Sequence, residues 1–318
     1  MEQQRDSISL IIDTDMAPDD WVAILYLGKR KDVEIKAITI SGTGEVHGKK
    51  GAKNCLRLLK MINRDNIPVA FGISKPLRYS HHFPKTMRFA VDRRLFIKFP
   101  KSKKEPKALN AIDLFKEKIL NSHHKKIAIL ALGPLTNVAN LIKQYPKVKK
   151  NISKIYIMGG AVDVPGNIAH VSRRIDNPYA EWNIYCDPHA ANIVFQSEIP
   201  IFLVPLDATN KVPIGKGFIK RINKHQDNMI CKFIGKIIKR LGSRLEERNI
   251  AFWDLIAAIC VNAEEIARVE TRMLRVIDKE GIESGRIIED KDKGKQVQVC
   301  KQIDKKKYNT KFFQTILS

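Results

Sequence analysis

Short apolar runs that alternate with helix-period segments leave this chain few architectures. Residues 7–12 (SISLII), 33–41 (VEIKAITIS), 68–72, 126–132 (KIAILAL), 155–158 and 201–204 (IFLV) are mostly apolar, the mark of strands buried in a sheet. Between them, residues 19–28, 51–62, 111–120, 135–142 and 187–195 carry apolar side chains at helical spacing, and Asp19 and Asp20 are acidic first-turn residues of the first. Strand and helix taking turns in this way predicts an α/β fold, a mostly parallel central sheet flanked by helices. Two more helices are predicted over 228–241 and 252–266. Residues 273–300 alternate in β fashion around Gly281, Gly285 and Gly294, which predicts a C-terminal β-hairpin extension within a β-rich tail at 270–318. Residues 73–109 are poor in periodicity and rich in His, Pro, Lys and Arg, and are expected to form a long active-site loop. Neither a repeat nor a Pro/Gly/Ser linker interrupts the chain, so one domain spanning 1–318 is expected.

Composition narrows the class. A hydrophobic content of 44% and an aromatic content of 7% over 318 residues suit a chain with a substantial core. No apolar run is long enough to span a bilayer, and the polar start leads into a stretch too short for a signal peptide. Five scattered cysteines without a CxxC pair fit reduced, buried thiols, so a cytoplasmic protein with no membrane contact is expected. The net charge of +23 is the one unusual bulk property. Its lysine runs, such as 98–107 and 291–307, lack interleaved aromatics or a reading motif, so charge alone does not make a nucleic-acid binder.

Ligands of a parallel sheet bind at the carboxyl ends of its strands. At the end of the first predicted strand stands I-I-D-T-D-M-A-P-D-D-W, with Asp13, Asp15, Asp19 and Asp20. Helix capping accounts for Asp19 or Asp20 but not for two more carboxylates on a strand end. Such a cluster repels itself unless a cation sits within it, and oxygen ligands suit Ca²⁺ or Mg²⁺.

Here the chain resembles the nucleoside hydrolase family, whose hallmark is an N-terminal D-x-D-P-G-x-D-D cluster. All four aspartates are present, with Met16-Ala17 in place of Pro-Gly and Pro18 added. A-L-G-P-L-T-N at 131–137, I-M-G-G-A-V-D-V-P-G-N at 157–167, A-E-W-N at 180–183 and F-W-D at 252–254 resemble further family segments in the family's order. The resemblance implies that Asp15, Asp20, Asp254 and the Leu132 carbonyl hold Ca²⁺. It implies that Asp15 is also the general base for water, that Asp19 accepts from the ribose 2′-hydroxyl, and that Met158, Asn167, Glu181 and Asn183 line the sugar. Thr43 is placed near the ribose, where the family usually has Asn or Asp. Asp13 is expected to support the ligands from behind, and Asp207 to hold a turn. Some members carry a histidine before the last aspartate as acid for the leaving base; Trp253 stands there instead and resembles the purine-preferring branch, in which the base is stacked between aromatic rings. Phe83 and Met87 are candidates for the second face of that stack, and His47, His81 and His82 for the leaving-group acid; Trp21 and Trp182 are expected to anchor core or loops.

The expected activity is therefore hydrolysis of a ribonucleoside, purine slightly favoured, to base and ribose, and the family implies a homo-oligomer, dimer or tetramer. A haloacid-dehalogenase-type phosphatase shares the D-x-D strand end but wants Thr or Val where Ala17 stands, and it leaves the later motifs without a purpose. A binding protein for nucleosides or nucleic acid that has lost turnover is the non-enzyme alternative.

Overall fold

The computed structural model describes residues 7–122, 125–172, 174–247 and 249–318; the polar start, residues 1–6, lies outside them. The six buried runs form strands β1 (Ile8–Thr14), β2 (Val33–Ile40), β3 (Val69–Phe71), β4 (Ile127–Ala131), β5 (Ile152–Met158) and β6 (Ile201–Val204). They hydrogen-bond in parallel in the order β3-β2-β1-β4-β5-β6. Central β4 and β6 are buried at every position, as expected for strands covered on both faces. Alternation divides β1 between two cores: Leu10 and Ile12 join one apolar cluster and Ile11 the other.

Helix Pro18–Lys29 starts on a proline at its first turn, where no N–H is needed, and packs residues 21–27 into the first cluster. Helix Trp253–Asn262 lies beside it, and the Tyr26 hydroxyl donates to Asn262 Oδ1 at 3.3 Å. That pairing brings residue 254 back over the end of β1. All five cysteines are buried and free. Among the described residues no helix is long and apolar enough to cross a membrane.

One expectation needs correction. Residues 73–109 are not one structureless loop: they hold helix Lys85–Asp92 and a 3₁₀ turn at Arg94–Phe96, and Val91 and Asp92 are buried. The tail has the antiparallel strands expected of it. Its strands β7 (Ala267–Val276), β8 (Ile287–Glu289) and β9 (Lys295–Ile303) extend the main sheet in the order β6-β9-β7-β8. β9 runs parallel to β6, pairing Gln298 with Phe202, while β7 is antiparallel to both β9 and β8. After β9 comes a helix, Lys305–Leu317, capped by the Asp304 side chain and burying Tyr308, Phe312, Phe313 and Ile316.

Candidate active site

The carboxyl end of β1 delivers Asp13, Thr14 and Asp15 in succession, and alternation sends their side chains to different partners. Asp13 Oδ1 accepts from Thr39 Oγ1 at 2.6 Å and Asn137 Nδ2 at 2.8 Å, which ties β1 to its neighbours. It is a fully buried brace behind the pocket, and burial pushes its carboxyl up to about 7. Thr14 donates its hydroxyl to Asp20 Oδ1 and accepts from the Met16 N–H. Met16 takes a left-handed φ of 58° and is held there by Trp21, whose Nε1 donates to the Met16 carbonyl at 2.7 Å. A left-handed β-unbranched residue is strained but tolerable, and the Trp21 bond fixes the turn between Asp15 and the helix that carries Asp19 and Asp20. Trp21 is thus a core anchor, packed edge-on to Phe99.

Asp19, Asp20 and Asp254 present carboxylate oxygens that all lie within 4.8 Å of one another. Asp254 reaches them across 235 residues, its N–H donating to Asp19 Oδ2 at 3.4 Å. Asp15 adjoins this trio through a hydrogen-bonded contact with Asp20. Burial lifts the whole group, and the charge of neighbouring aspartates adds to it at Asp15, Asp20 and Asp254: Asp15 and Asp19 stand at about 6, Asp20 and Asp254 well above the carboxylate range. Among the described residues no lysine or arginine forms a salt bridge with any of the four. Asp20 Oδ2 and Asp254 Oδ1 are buried without a hydrogen-bond partner. Unpaired buried oxygens in a like-charged group fit a hard divalent cation, which supplies the missing charge and takes the free lone pairs.

The Leu132 carbonyl lies in the same region. Its N–H donates to the Asp13 carbonyl at 2.8 Å and its oxygen accepts from Asn183 Nδ2 at 3.3 Å. Asn183 Nδ2 also faces the Met158 carbonyl at 3.2 Å. Glu181 caps helix Trp182–Cys186, accepting from the Asn183 and Ile184 N–H groups, and takes a further bond from Gly160 N–H at 2.9 Å. Burial raises it to about 7. Asn167 Oδ1 accepts from Trp182 N–H at 3.1 Å. Leu132, Met158, Asn167, Glu181 and Asn183 are therefore joined directly or through one neighbour into one wall.

Other candidates fall elsewhere. Thr43 is buried with its hydroxyl bonded to Ser41 Oγ and Thr136 Oγ1. His47 pairs with Asp92 at 2.8 Å, and His81 sits between the Tyr185 carbonyl and Glu280. Phe83 stacks on Trp182 with ring centroids 4.8 Å apart. Trp253 is half-buried against the first core, with its buried Nε1 unpaired. Asp207 accepts from the Val162 and Asp163 N–H groups and pairs with Lys301 at 2.7 Å, the duty of a turn residue. One acid not singled out by the sequence adjoins the cluster: Glu45, whose N–H donates to Asp15 Oδ2 at 3.0 Å.

Fold and pocket together define an α/β protein with an oxygen-only acidic site at the end of a parallel sheet. The chain belongs to the nucleoside hydrolase family: the family model described as inosine-uridine preferring nucleoside hydrolase matches residues 10–310. Membership places it among the N-glycosyl hydrolases. It is 36% identical over 280 residues to a pyrimidine-specific ribonucleoside hydrolase, RihA, of Salmonella paratyphi C, covering 84% of this chain and 85% of that one. Its fold matches a plant nucleoside hydrolase, PpNRh1, with a TM-score of 0.85 and 26% identity over 97% of this chain and 98% of the other. It also matches a purine-preferring ribonucleoside hydrolase from Gardnerella vaginalis, with a TM-score of 0.84 and 25% identity over the same shares.

Proposed function

We propose that this protein hydrolyses the N-glycosidic bond of a ribonucleoside to free base and ribose, with Ca²⁺ held by Asp15, Asp20, Asp254 and the Leu132 carbonyl. The observation that carries the reading is the meeting of Asp15, Asp19, Asp20 and Asp254, the last reaching Asp19 across 235 residues of chain, with no cationic side chain among the described residues bridged to them. The ion, when bound, acidifies water and offsets the crowded negative charge. Asp15 takes the proton of the attacking water, whose acidity a bound ion would raise. Asp19 accepts from a ribose hydroxyl. Asn167, Glu181, Asn183 and Met158 hold the sugar from the opposite wall. As the glycosidic bond breaks, positive charge grows on the ribose, and the surrounding carboxylates favour it.

Trp253 supports stacking of a purine base, and stacking withdraws the leaving group from water. A second reading, a pyrimidine substrate, is favoured by the 36%-identical relative named as pyrimidine-specific. Assembly as a dimer or tetramer belongs to the same reading and is checked by sedimentation. The test is a panel of inosine, adenosine, guanosine, uridine and cytidine with calcium, reading released base by chromatography with an EDTA control. Base release that EDTA stops is expected; the absence of release from all five, with calcium bound, would sink the proposal.

A further inference from the structure

Away from the aspartate pocket the molecule carries a cationic groove. Helix Gly48–Met61 starts beside the pocket and, at 1.5 Å per residue, ends about 20 Å further on. There Lys60 and Met61 meet residues 98–101 and helix Met229–Leu241, and together they enclose a groove of about 500 Å³. Lys60, Lys98, Lys101, Lys232 and Lys236 line it, and no acidic residue among the described residues does. Lys60 reaches Asp65 at 3.8 Å; among the described residues the other four make no ion pair. Ammonium groups gathered around one concavity repel each other until an anion lies between them. Met229, which is 53% exposed, and the buried Phe233 give the groove an apolar side.

Charge alone is no nucleic-acid surface, but here the fold also displays an aromatic ring. Arg94, Leu95 and Phe96 stand at φ of 57°, 50° and 61°, three successive non-glycine residues in the left-handed region. Residues with a Cβ rarely follow one another there, because the Cβ crowds the next carbonyl. The turn packs Leu95 against the core and leaves Phe96 64% exposed. The Arg240 guanidinium lies over the Phe96 ring, 5.4 Å from its centroid. Arg240 follows Met229, Lys232 and Lys236 on the exposed face of one helix at spacings of three and four, so ring and groove form one stripe about 16 Å long. We infer that this stripe binds single-stranded nucleic acid, the lysines and Arg240 pairing with phosphates while a base stacks on Phe96. A duplex keeps its bases stacked on each other and offers none to the ring. An acidic peptide matches the charge but brings no base to Phe96, a flat bilayer does not fill a concavity, and a second copy would set +23 against +23. The groove serves this role whatever nucleoside the pocket cleaves.

Fluorescence anisotropy tests it with labelled oligouridylate and oligodeoxythymidylate about 12 nucleotides long, within the span of a single-strand site, titrated into the full chain at several salt concentrations. Lys232→Gln/Lys236→Gln should weaken binding about 10-fold or more and flatten the slope of log K against log salt by about 1.4, at about 0.7 per phosphate contact. Phe96→Ala should weaken it about 10-fold with the slope unchanged. Lys291→Gln/Lys293→Gln removes the same charge from the exposed turn between β8 and β9, at the opposite edge of the sheet from β3. That pair should leave affinity within about two-fold, since salt screens charges so far away. All these side chains are exposed, so melting curves and nucleoside hydrolysis should match wild type. Equal losses in the groove pair and the turn pair would overturn the inference in favour of the net charge. Undiminished binding by Phe96→Ala, or a duplex bound as tightly as the single strand, would overturn it as a single-strand site. Failure of wild type to bind either strand, or tighter binding of poly-glutamate or of phosphatidylserine vesicles, would overturn it outright. Binding of only one of the two strands through the groove would uphold it and name the sugar.

Discussion

Returning calcium to the metal-stripped protein should raise its melting temperature, by an amount that depends on pH in a defined direction. Without an ion, Asp13 stands at about 7 and Asp15 and Asp19 at about 6, in each case chiefly through burial. In the unfolded chain the same carboxyls return to about 4. Between those values the folded state holds more protons than the unfolded state, so stability falls as pH rises through the folded values and is greater toward the acid side of that window. The stripped protein should therefore melt lower at pH 8 than at pH 5.5. Calcium acts on the form that suffers most. At a free concentration about 100 times its dissociation constant it adds about 2.7 kcal/mol by mass action. With an unfolding entropy of about 2.1 cal/mol/K per residue, 318 residues give roughly 0.7 kcal/mol/K, so the midpoint should rise by about 4 °C at pH 8. At pH 5.5 protons compete with the ion and the increment should shrink. Scanning calorimetry of EDTA-treated protein with calcium added back, across that pH range, measures both. A midpoint indifferent to millimolar calcium at pH 8, or an increment that grows as pH falls, would refute the cluster as a cation site.

Asp15→Ala should cut kcat by about 10³-fold or more, since it removes the proton acceptor, while the melting curve stays cooperative; near-normal turnover would remove Asp15 from the chemistry. Trp253→Ala should cost inosine about 10–100-fold in kcat/KM and uridine much less, and equal losses would end the stacking assignment. Phe312→Ala, at a fully buried ring of the C-terminal helix, should destabilise by about 3–5 kcal/mol in urea titration, with a change under 1 kcal/mol meaning that the helix does not close the core.

The parts of this protein that obey a period were legible in the sequence. β4 and β6 are runs of apolar residues because both faces are covered. The aspartates of β1 stood out because helix capping accounts for Asp19 or Asp20 but not for Asp13 and Asp15 on a strand end. Tyr308, Phe312 and Ile316 also stand four apart, so the last helix had its signal; the glycines that precede it drew the whole tail into a hairpin reading. Helix Lys85–Asp92 was hidden for a different reason. It is short, only Val91 and Asp92 in it are buried, and its Phe89 is half exposed and covered by the Arg93 guanidinium at 3.7 Å. Glu45 and Thr43 lie in a non-periodic turn, where which side chain faces inward depends on the close passage of Gly44 past Asp15. Nothing in residue type conveys that passage; it exists only once β1 and β2 are side by side.

The position of β9 between β6 and β7 has a consequence for how the chain is made. A ribosome delivers β1 to β6 first, and these strands can pair as they emerge. Until residues 295–303 follow, β6 presents IFLV as an open edge, the kind of edge that invites pairing with another chain. The aspartates of β1 likewise wait for Asp254 before the pocket has its full set of oxygens. Loss of the last strand and helix should therefore act all at once, through aggregation of nascent protein, and stalled translation products should be clients for chaperones that cover exposed sheet edges.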